Sequence, residues 1–358
     1  MSAADAREIL DIAHASGFAF AAITDARPSD HADALRAWCR DGKHGSMAWL
    51  ADQIDVRLDP TRLLRGARSV LCVADRYARP ARDARTAEWP PRGRIARYAR
   101  GQDYHTFMRK RLRKLAARLR EGFPSAGFRF ACDLLPILER ELAARSGLGA
   151  IGKNTLVIRP GEGSYLVLGE VLMTLEVPSE RSARIDPCGS CTRCIDACPT
   201  AAITPYSVDA SRCLAYTTIE HRGAIPEEFW EATEDWIFGC DICQEVCPHN
   251  QPTRRKRRSP IDPAYEVRVS GFDLLSVLGW TEADRMQATM RSAIRRAELG
   301  MLKRNALICL GNALRTPRAP TERTPIVARI AEVAADEREE AMVRETARRV
   351  LHRIGEGA

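Results

Sequence analysis

Eight of the chain's twelve cysteines fall between positions 188 and 247. Cys188, Cys191, Cys194 and Cys198 form the run CxxCxxCxxxC, with Pro199 directly behind it. A shorter run, Cys240, Cys243 and Cys247, ends in Pro248, and Cys213 upstream supplies a fourth thiol. Thiolates two residues apart converge on one iron-sulfur cube with little loop to close, whereas the cysteine before proline points away to a neighbouring cube. The expected assignment is therefore crossed. One 4Fe-4S cluster takes Cys188, Cys191, Cys194 and Cys247; a second takes Cys198, Cys213, Cys240 and Cys243. Zinc is also held by thiolate quartets, but two interleaved quartets that both end in Cys-Pro are a far more specific pattern than a lone CxxC. Cys39, Cys72, Cys132 and Cys309 share no such spacing and read as buried structural thiols.

A disulfide framework is not expected. The thiols are concentrated in one segment of a 358-residue chain, and the N-terminus, MSAADAREIL, has no basic n-region, apolar h-region or twin-arginine pair. We expect a cytoplasmic protein and no membrane span, because apolar runs break well before the roughly 20 residues a spanning helix needs. Apolar residues at 45% and charged residues at 28% are ordinary for a globular protein. The net charge of +8 makes a polyanionic partner plausible without naming one.

Around the cysteine segment the chain divides into three. Residues 1–180 alternate helix-like stretches (from Ala3, and from His105 to Glu121) with apolar strands beginning at Phe18, Ser69, Phe128 and Tyr165. Residues 181–255 form the two-cluster module. Residues 256–358 follow a basic run, Arg254, Arg255, Lys256, Arg257 and Arg258, and carry helical periodicity at Lys303–Arg315, Thr324–Ala335 and Glu337–Ile354, in the manner of a small HEAT-like array. The fold class is α+β: an N-terminal α/β domain, a ferredoxin-like module and a helical C-terminal domain. Two clusters imply delivery of electrons one at a time from a soluble low-potential donor. The large N-terminal domain is the place for an acceptor.

Several segments, in order along the chain, resemble the epoxyqueuosine reductases. They are VRLDPTRLLRGARSVL from Val56, RIARYARGQDYH from Arg94, DLLPILERELA from Asp133, GLGAIGKNTL from Gly147, GSYLVLGEVL from Gly163 and FGCDICQEVCP from Phe238. The resemblance implies reduction of epoxyqueuosine to queuosine at the wobble position of tRNA. It also implies a base-off cobalamin held between the cluster module and an N-terminal domain of reductive-dehalogenase type. It makes Asp133 the proton donor and places Arg57, Asp133, Lys153, Asn154 and Asp241 around the corrinoid. It makes tRNA the polyanionic partner, for which Arg254, Arg255, Lys256, Arg257, Arg258, Lys303 and Arg304 are the candidate phosphate contacts. We expect a monomer.

The residues themselves leave simpler readings open. Asp133 could cap a helix starting near Pro136, and a five-residue basic run is usually a solvated face. If Leu134, Leu135 and Pro136 bury Asp133, its carboxyl would stay neutral and proton-carrying. A reductive dehalogenase would share the cofactors, although that family usually carries a twin-arginine signal. A plain electron carrier would share the clusters but would not need the Asp133 and GKN segments.

Overall fold

The computed structural model describes residues 1–79, 89–179, 186–251, 259–316 and 319–356. The chain begins with α1 (Ala3–Ala15), started by a capping box in which Ser2 and Asp5 satisfy each other's backbone N–H groups. The strands β1 (Phe20–Asp25) and β2 (Ser69–Arg76) follow, then the short β3 (Arg92–Ile95). The helix α2 (Tyr104–Gly122), strand β4 (Phe128–Ala131), helix α3 (Glu139–Arg145) and strand β5 (Leu166–Met173) complete the N-terminal part. Four of these strands form one sheet in the order β1-β2-β5-β4. Every pairing in it is antiparallel, so this part is α+β and not the α/β domain expected from the alternation of elements. Alternation along the sequence does not fix strand direction.

The amphipathic pattern of α2 explains its place. Met108, Leu112, Leu115 and Leu119 recur along one face and are all fully buried against the sheet, each worth roughly 1.5–3 kcal/mol of burial. Gly169 on β5 lets the helix come close, since a Cβ there would lie 3.0 Å from Leu112 and 3.2 Å from Met108.

A second sheet joins distant parts of the sequence. β3 pairs in parallel with β6 (Trp236–Phe238) and antiparallel with β7 (Gly271–Asp273). After the short α4 (Leu214–Ile219), the C-terminal part is built on α5 (Leu299–Ala313); α7 (Ala341–Glu356) packs on α5, and α6 (Pro320–Ala335) packs on α7. Met301 to Leu310 is buried without interruption. Its core takes in Ile95 and Ala99 from the N-terminal part, and Leu214, Phe229, Trp230, Ile237 and Phe238 from the middle. Leu214, Phe229, Trp230, Ile237 and Phe238, which lie between the two cysteine runs, thus share one core with the helical layer. Among the described residues no helix is long and apolar enough to cross a membrane.

Candidate active site

The cluster cysteines lie on turns and one-turn helices, where backbone N–H groups remain free to face sulfur. Cys188, Cys191, Cys194 and Cys247 line one cavity of about 240 Å³ together with Asn154, Pro187, Pro248 and His249. This is the first of the two crossed quartets. For the second, Cys213 lies in electrostatic reach of Cys198, and Cys243 in reach of both. Cys240 faces Cys243 and Cys213. Among the described residues, no three His, Cys, Asp or Glu side chains converge as they would on a single metal ion. Cys39 is partly buried, whereas Cys72, Cys132 and Cys309 are buried, all of them apart from the cage.

The cage is fastened to the N-terminal part at defined points. Gly163 has φ +91°, and a Cβ on it would sit 2.1 Å from Asn250 Oδ1; this close approach lets Asn250 Oδ1 accept from the Ser164 N–H at 2.7 Å. Asp241 is 1% exposed, and its Oδ2 accepts from the Arg97 N–H at 2.7 Å. Its carboxylate is thus tied to the main chain of Arg97 inside the protein. A small hairpin, Ala150–Ile151 paired with Val157–Ile158, carries the GKN turn. There the Lys153 N–H donates to Cys188 Sγ at 3.3 Å, and Lys153 Nζ donates to the carbonyls of Gly189 at 2.7 Å and Cys191 at 3.1 Å. The ammonium is therefore bound to the cluster loop. Asn154 is 5% exposed, and its Nδ2 finds no partner among the described residues.

The other end of that turn reaches the Asp133 loop. Arg140 Nη1 donates to the Thr155 carbonyl at 2.8 Å and to Thr155 Oγ1 at 2.9 Å. Asp133 lies two residues beyond β4 and has φ +47°, a left-handed conformation that costs a non-glycine residue roughly 1–3 kcal/mol. Its N–H donates to Glu139 Oε1 at 2.5 Å. Tyr104 Oη donates to Asp133 Oδ2, and His105 Nε2 lies 3.3 Å from the same oxygen. His105 Nδ1 in turn lies 2.8 Å from Asp103 Oδ1, and the rings of Tyr104 and His105 stack at 3.9 Å. Arg57 adds positive charge on this side; its partly buried guanidinium is in electrostatic reach of Asp133 and Glu139, and its Nε has no partner among the described residues.

These contacts decide where the proton rests. Burial pushes the Asp133 carboxyl up, but hydrogen bonds from His105 and Tyr104 outweigh it and hold the group below the usual aspartate range. Burial lowers His105, but the bonds to Asp103 and Asp133 carry it up to about 9. Burial, then the Asp133 charge, raise Tyr104 far above an ordinary phenol, so it stays a donor. The expectation of a neutral Asp133 is corrected by these bonds; its side chain is only partly buried, at 52% exposed, and Leu134 is 55% exposed. Both shifts favour the imidazolium-carboxylate form of the pair. Asp133 does not cap a helix beginning near Pro136, since α3 starts at Glu139, with no side-chain cap at its N-terminus. Sequence reasoning missed Tyr104, His105 and Glu139 as partners of Asp133; Tyr104 and His105 lie 29 and 28 positions away, and no motif spacing links them.

Two of the basic candidates are corrected as well. Lys303 is 7% exposed, with Nζ on Glu339 Oε2 at 2.5 Å. Arg304 is wholly buried, and its guanidinium is taken up by the carbonyls of Thr217, His221 and Gly223 and by Asn305 Oδ1. Both sit on α5 in the core, where helical periodicity serves burial, with their charges taken up by protein partners. Arg254, Arg255, Lys256, Arg257 and Arg258 lie outside the described residues.

Residues 57–133 match the family model of the epoxyqueuosine reductase QueG, and residues 187–250 match a 4Fe-4S double cluster binding domain. The epoxyqueuosine reductase of Xanthomonas campestris is 40% identical over 86% of this chain and 87% of its own length. That of Escherichia coli K12 is 39% identical over 83% and 78%. An epoxyqueuosine reductase structure with an epoxyqueuosine-modified tRNA-Tyr stem loop superposes with a TM-score of 0.83 at 25% identity, covering 98% of this chain and 90% of that one. The Bacillus subtilis epoxyqueuosine reductase, in a structure with its catalytic aspartate loop swung out of the active site, gives 0.83 at 25% identity over 97% and 90%. The chain belongs to the epoxyqueuosine reductase family: it is an oxidoreductase with a 4Fe-4S double cluster binding domain.

Proposed function

We propose that the chain reduces epoxyqueuosine to queuosine at the wobble position of tRNA, using two 4Fe-4S clusters and a base-off cobalamin, with Asp133 at the reacting oxygen. The observation that carries the reading is the continuity of one turn. Lys153 touches the sulfur of Cys188 while Thr155, two residues on, is held by Arg140 beside Asp133. The electron source and the proton source thus meet across a few residues. A solved relative that contains an epoxyqueuosine-modified tRNA stem loop supports tRNA as the substrate.

The overall change converts an epoxide, two electrons and two protons into an alkene and water. Cobalamin, when bound, supplies the low-valent metal chemistry that side chains lack. Arg57 and Asn154 fit such a group, because each keeps a buried donor with no protein partner among the described residues. Cys188, Cys191, Cys194 and Cys247 would hold one cluster, and Cys198, Cys213, Cys240 and Cys243 the other. N–H donation to sulfur, from Lys153 to Cys188 and from Ala202 to Cys198 at 3.3 Å each, favours the reduced, more negative state. Asp133, taking a proton from the His105 imidazolium, passes it to the departing oxygen, and Tyr104 holds the carboxylate in line. A soluble low-potential donor feeds the clusters. The basic run from Arg254 to Arg258 grips phosphates of the anticodon arm.

The test is to incubate anaerobically reconstituted protein with cobalamin, a low-potential reductant and tRNA carrying epoxyqueuosine, and then to analyse the nucleosides by mass spectrometry. Queuosine should appear only when all components are present. Unchanged epoxyqueuosine with fully loaded protein would sink the proposal.

A further inference from the structure

Beneath the Asp133 loop lie two carboxyl groups that the chemistry above does not use. Glu170 sits in the middle of β5, opposite Cys72 on β2 and Ala131 on β4. It is 0% exposed, and among the described residues neither of its oxygens receives a hydrogen bond from a protein donor. The group within hydrogen-bonding reach of it is another carboxyl, that of Glu139. Glu139 opens α3, and its Oε1 accepts the Asp133 N–H. The order is therefore a sealed acid in the sheet, a second acid at a helix start, then the strained backbone of Asp133.

An ionised carboxylate with no donor is not kept in a sheet interior, and two carboxylates in contact cannot both be charged. One proton must stay between them. Burial, then the Glu139 charge, push Glu170 far above the ordinary carboxyl range; burial, then the Asp133 charge, push Glu139 up too. Facing the pair are Asp133, the cations Arg140 and Arg57, and the thiols of Cys72 and Cys132, both raised by burial and so neutral.

We propose that Glu139 and Glu170 share one proton and form a latch that positions Asp133. Glu170 donates to Glu139, and Glu139 Oε1 holds the Asp133 amide so that the carboxylate is presented to Tyr104 and His105. Loss of the shared proton puts two negative charges in contact, with the Asp133 carboxylate as a third nearby. The latch then opens and the loop leaves. That the corresponding loop stands swung out in a relative's structure shows that such a segment has a second position. The inference rests on Asp133 being the acid of the proposed reaction, but the latch can be read without it.

Two variants test this. Glu170→Gln replaces the protonated acid by a permanent amide donor, and Glu139→Ala removes the acceptor. Hydrogen-deuterium exchange of the peptide spanning residues 130–138, on the protein without substrate, reads the Asp133 amide. In the wild type its protection should collapse at alkaline pH beyond the base-catalysed trend; in Glu170→Gln it should persist; in Glu139→Ala it should be lost at least tenfold at neutral pH, with thermal midpoint and iron content near wild type. The alkaline limb of turnover should move up by a pH unit or more in Glu170→Gln. Equal alkaline loss of protection in wild type and Glu170→Gln, or a protected Asp133 amide in Glu139→Ala, overturns the latch. If exchange behaves as expected while turnover ignores both variants, the latch stands and the assignment of Asp133 as the acid falls.

Discussion

His105 bridges two aspartates: Nδ1 lies 2.8 Å from Asp103 Oδ1 and Nε2 lies 3.3 Å from Asp133 Oδ2. With a carboxylate on each nitrogen the ring is doubly protonated, so Asp133 works as one end of a charged pair, not as an isolated neutral acid. Asp133→Asn keeps the side-chain volume and the Glu139 contact of the main chain but cannot carry the proton. We expect it to fold, retain iron and lose turnover by about a hundred- to ten-thousand-fold. Single-turnover assays scored by nucleoside mass spectrometry check this. A near wild-type rate would return Asp133 to a structural role.

The same pair gives a pH prediction. The His105 pKa is raised from an ordinary 6.5 to about 9 in the folded protein. Its contribution to stability is therefore complete below about pH 6.5 and disappears as pH rises through about 9. The thermal midpoint of the wild type should exceed that of His105→Gln by a constant amount at pH 5.5–6.5, and the gap should close by pH 10. A gap that widens with pH would contradict the assignment. Because Asp133 is half exposed, solvent screens the pair and the gap should be modest.

Cys213 stands alone in sequence, 15 residues after Cys198 and 27 before Cys240, yet it faces Cys198, Cys240 and Cys243. Wild-type protein should hold about eight irons, as two cubes require. Cys213→Ala should lower iron content towards half and remove one of two paramagnetic signals, leaving the other unchanged. Retention of both signals would take Cys213 out of the ligand set.

What could be read in advance follows from how local each signal is. The cysteine runs encode their geometry in spacing, and the face Met108-Leu112-Leu115-Leu119 encodes α2, so both were legible. The sheet's antiparallel order was not, because pairing partners such as Cys72 and Glu170 are 98 residues apart and the strand sequences carry no direction. His105 as the partner of Asp133, and Glu170 as the floor beneath it, depend on that same pairing. Lys303 and Arg304 misled for a related reason: a basic pair looks solvated unless one knows that main-chain carbonyls 80 or more residues upstream, and Glu339 downstream, are waiting for it.

That burial separates the two groups of basic residues by experiment. Arg304 is held by three main-chain carbonyls and Asn305 Oδ1, so Arg304→Met leaves these acceptors without a donor in the core. Each unmet buried group costs on the order of 1–3 kcal/mol, and partial rearrangement should leave a net loss of about 3 kcal/mol. The variant should melt well below the wild type. Where it is still folded, its tRNA affinity should show the wild-type dependence on salt, because no phosphate contact has been removed. Lys303→Met should behave likewise, with a smaller stability loss from the Glu339 pair. Replacing Arg254, Arg255, Arg257 and Arg258 by alanine should do the reverse: an unchanged melting temperature, weaker tRNA binding, and a log affinity against log salt slope shallower by up to about 3, as expected when up to four phosphates are no longer neutralised. Filter-binding or anisotropy titrations between low and physiological salt read both. An unchanged slope in the quadruple variant would assign that run to solvent, and a flattened slope in folded Lys303→Met or Arg304→Met would mean that α5 exposes its charges in the complex.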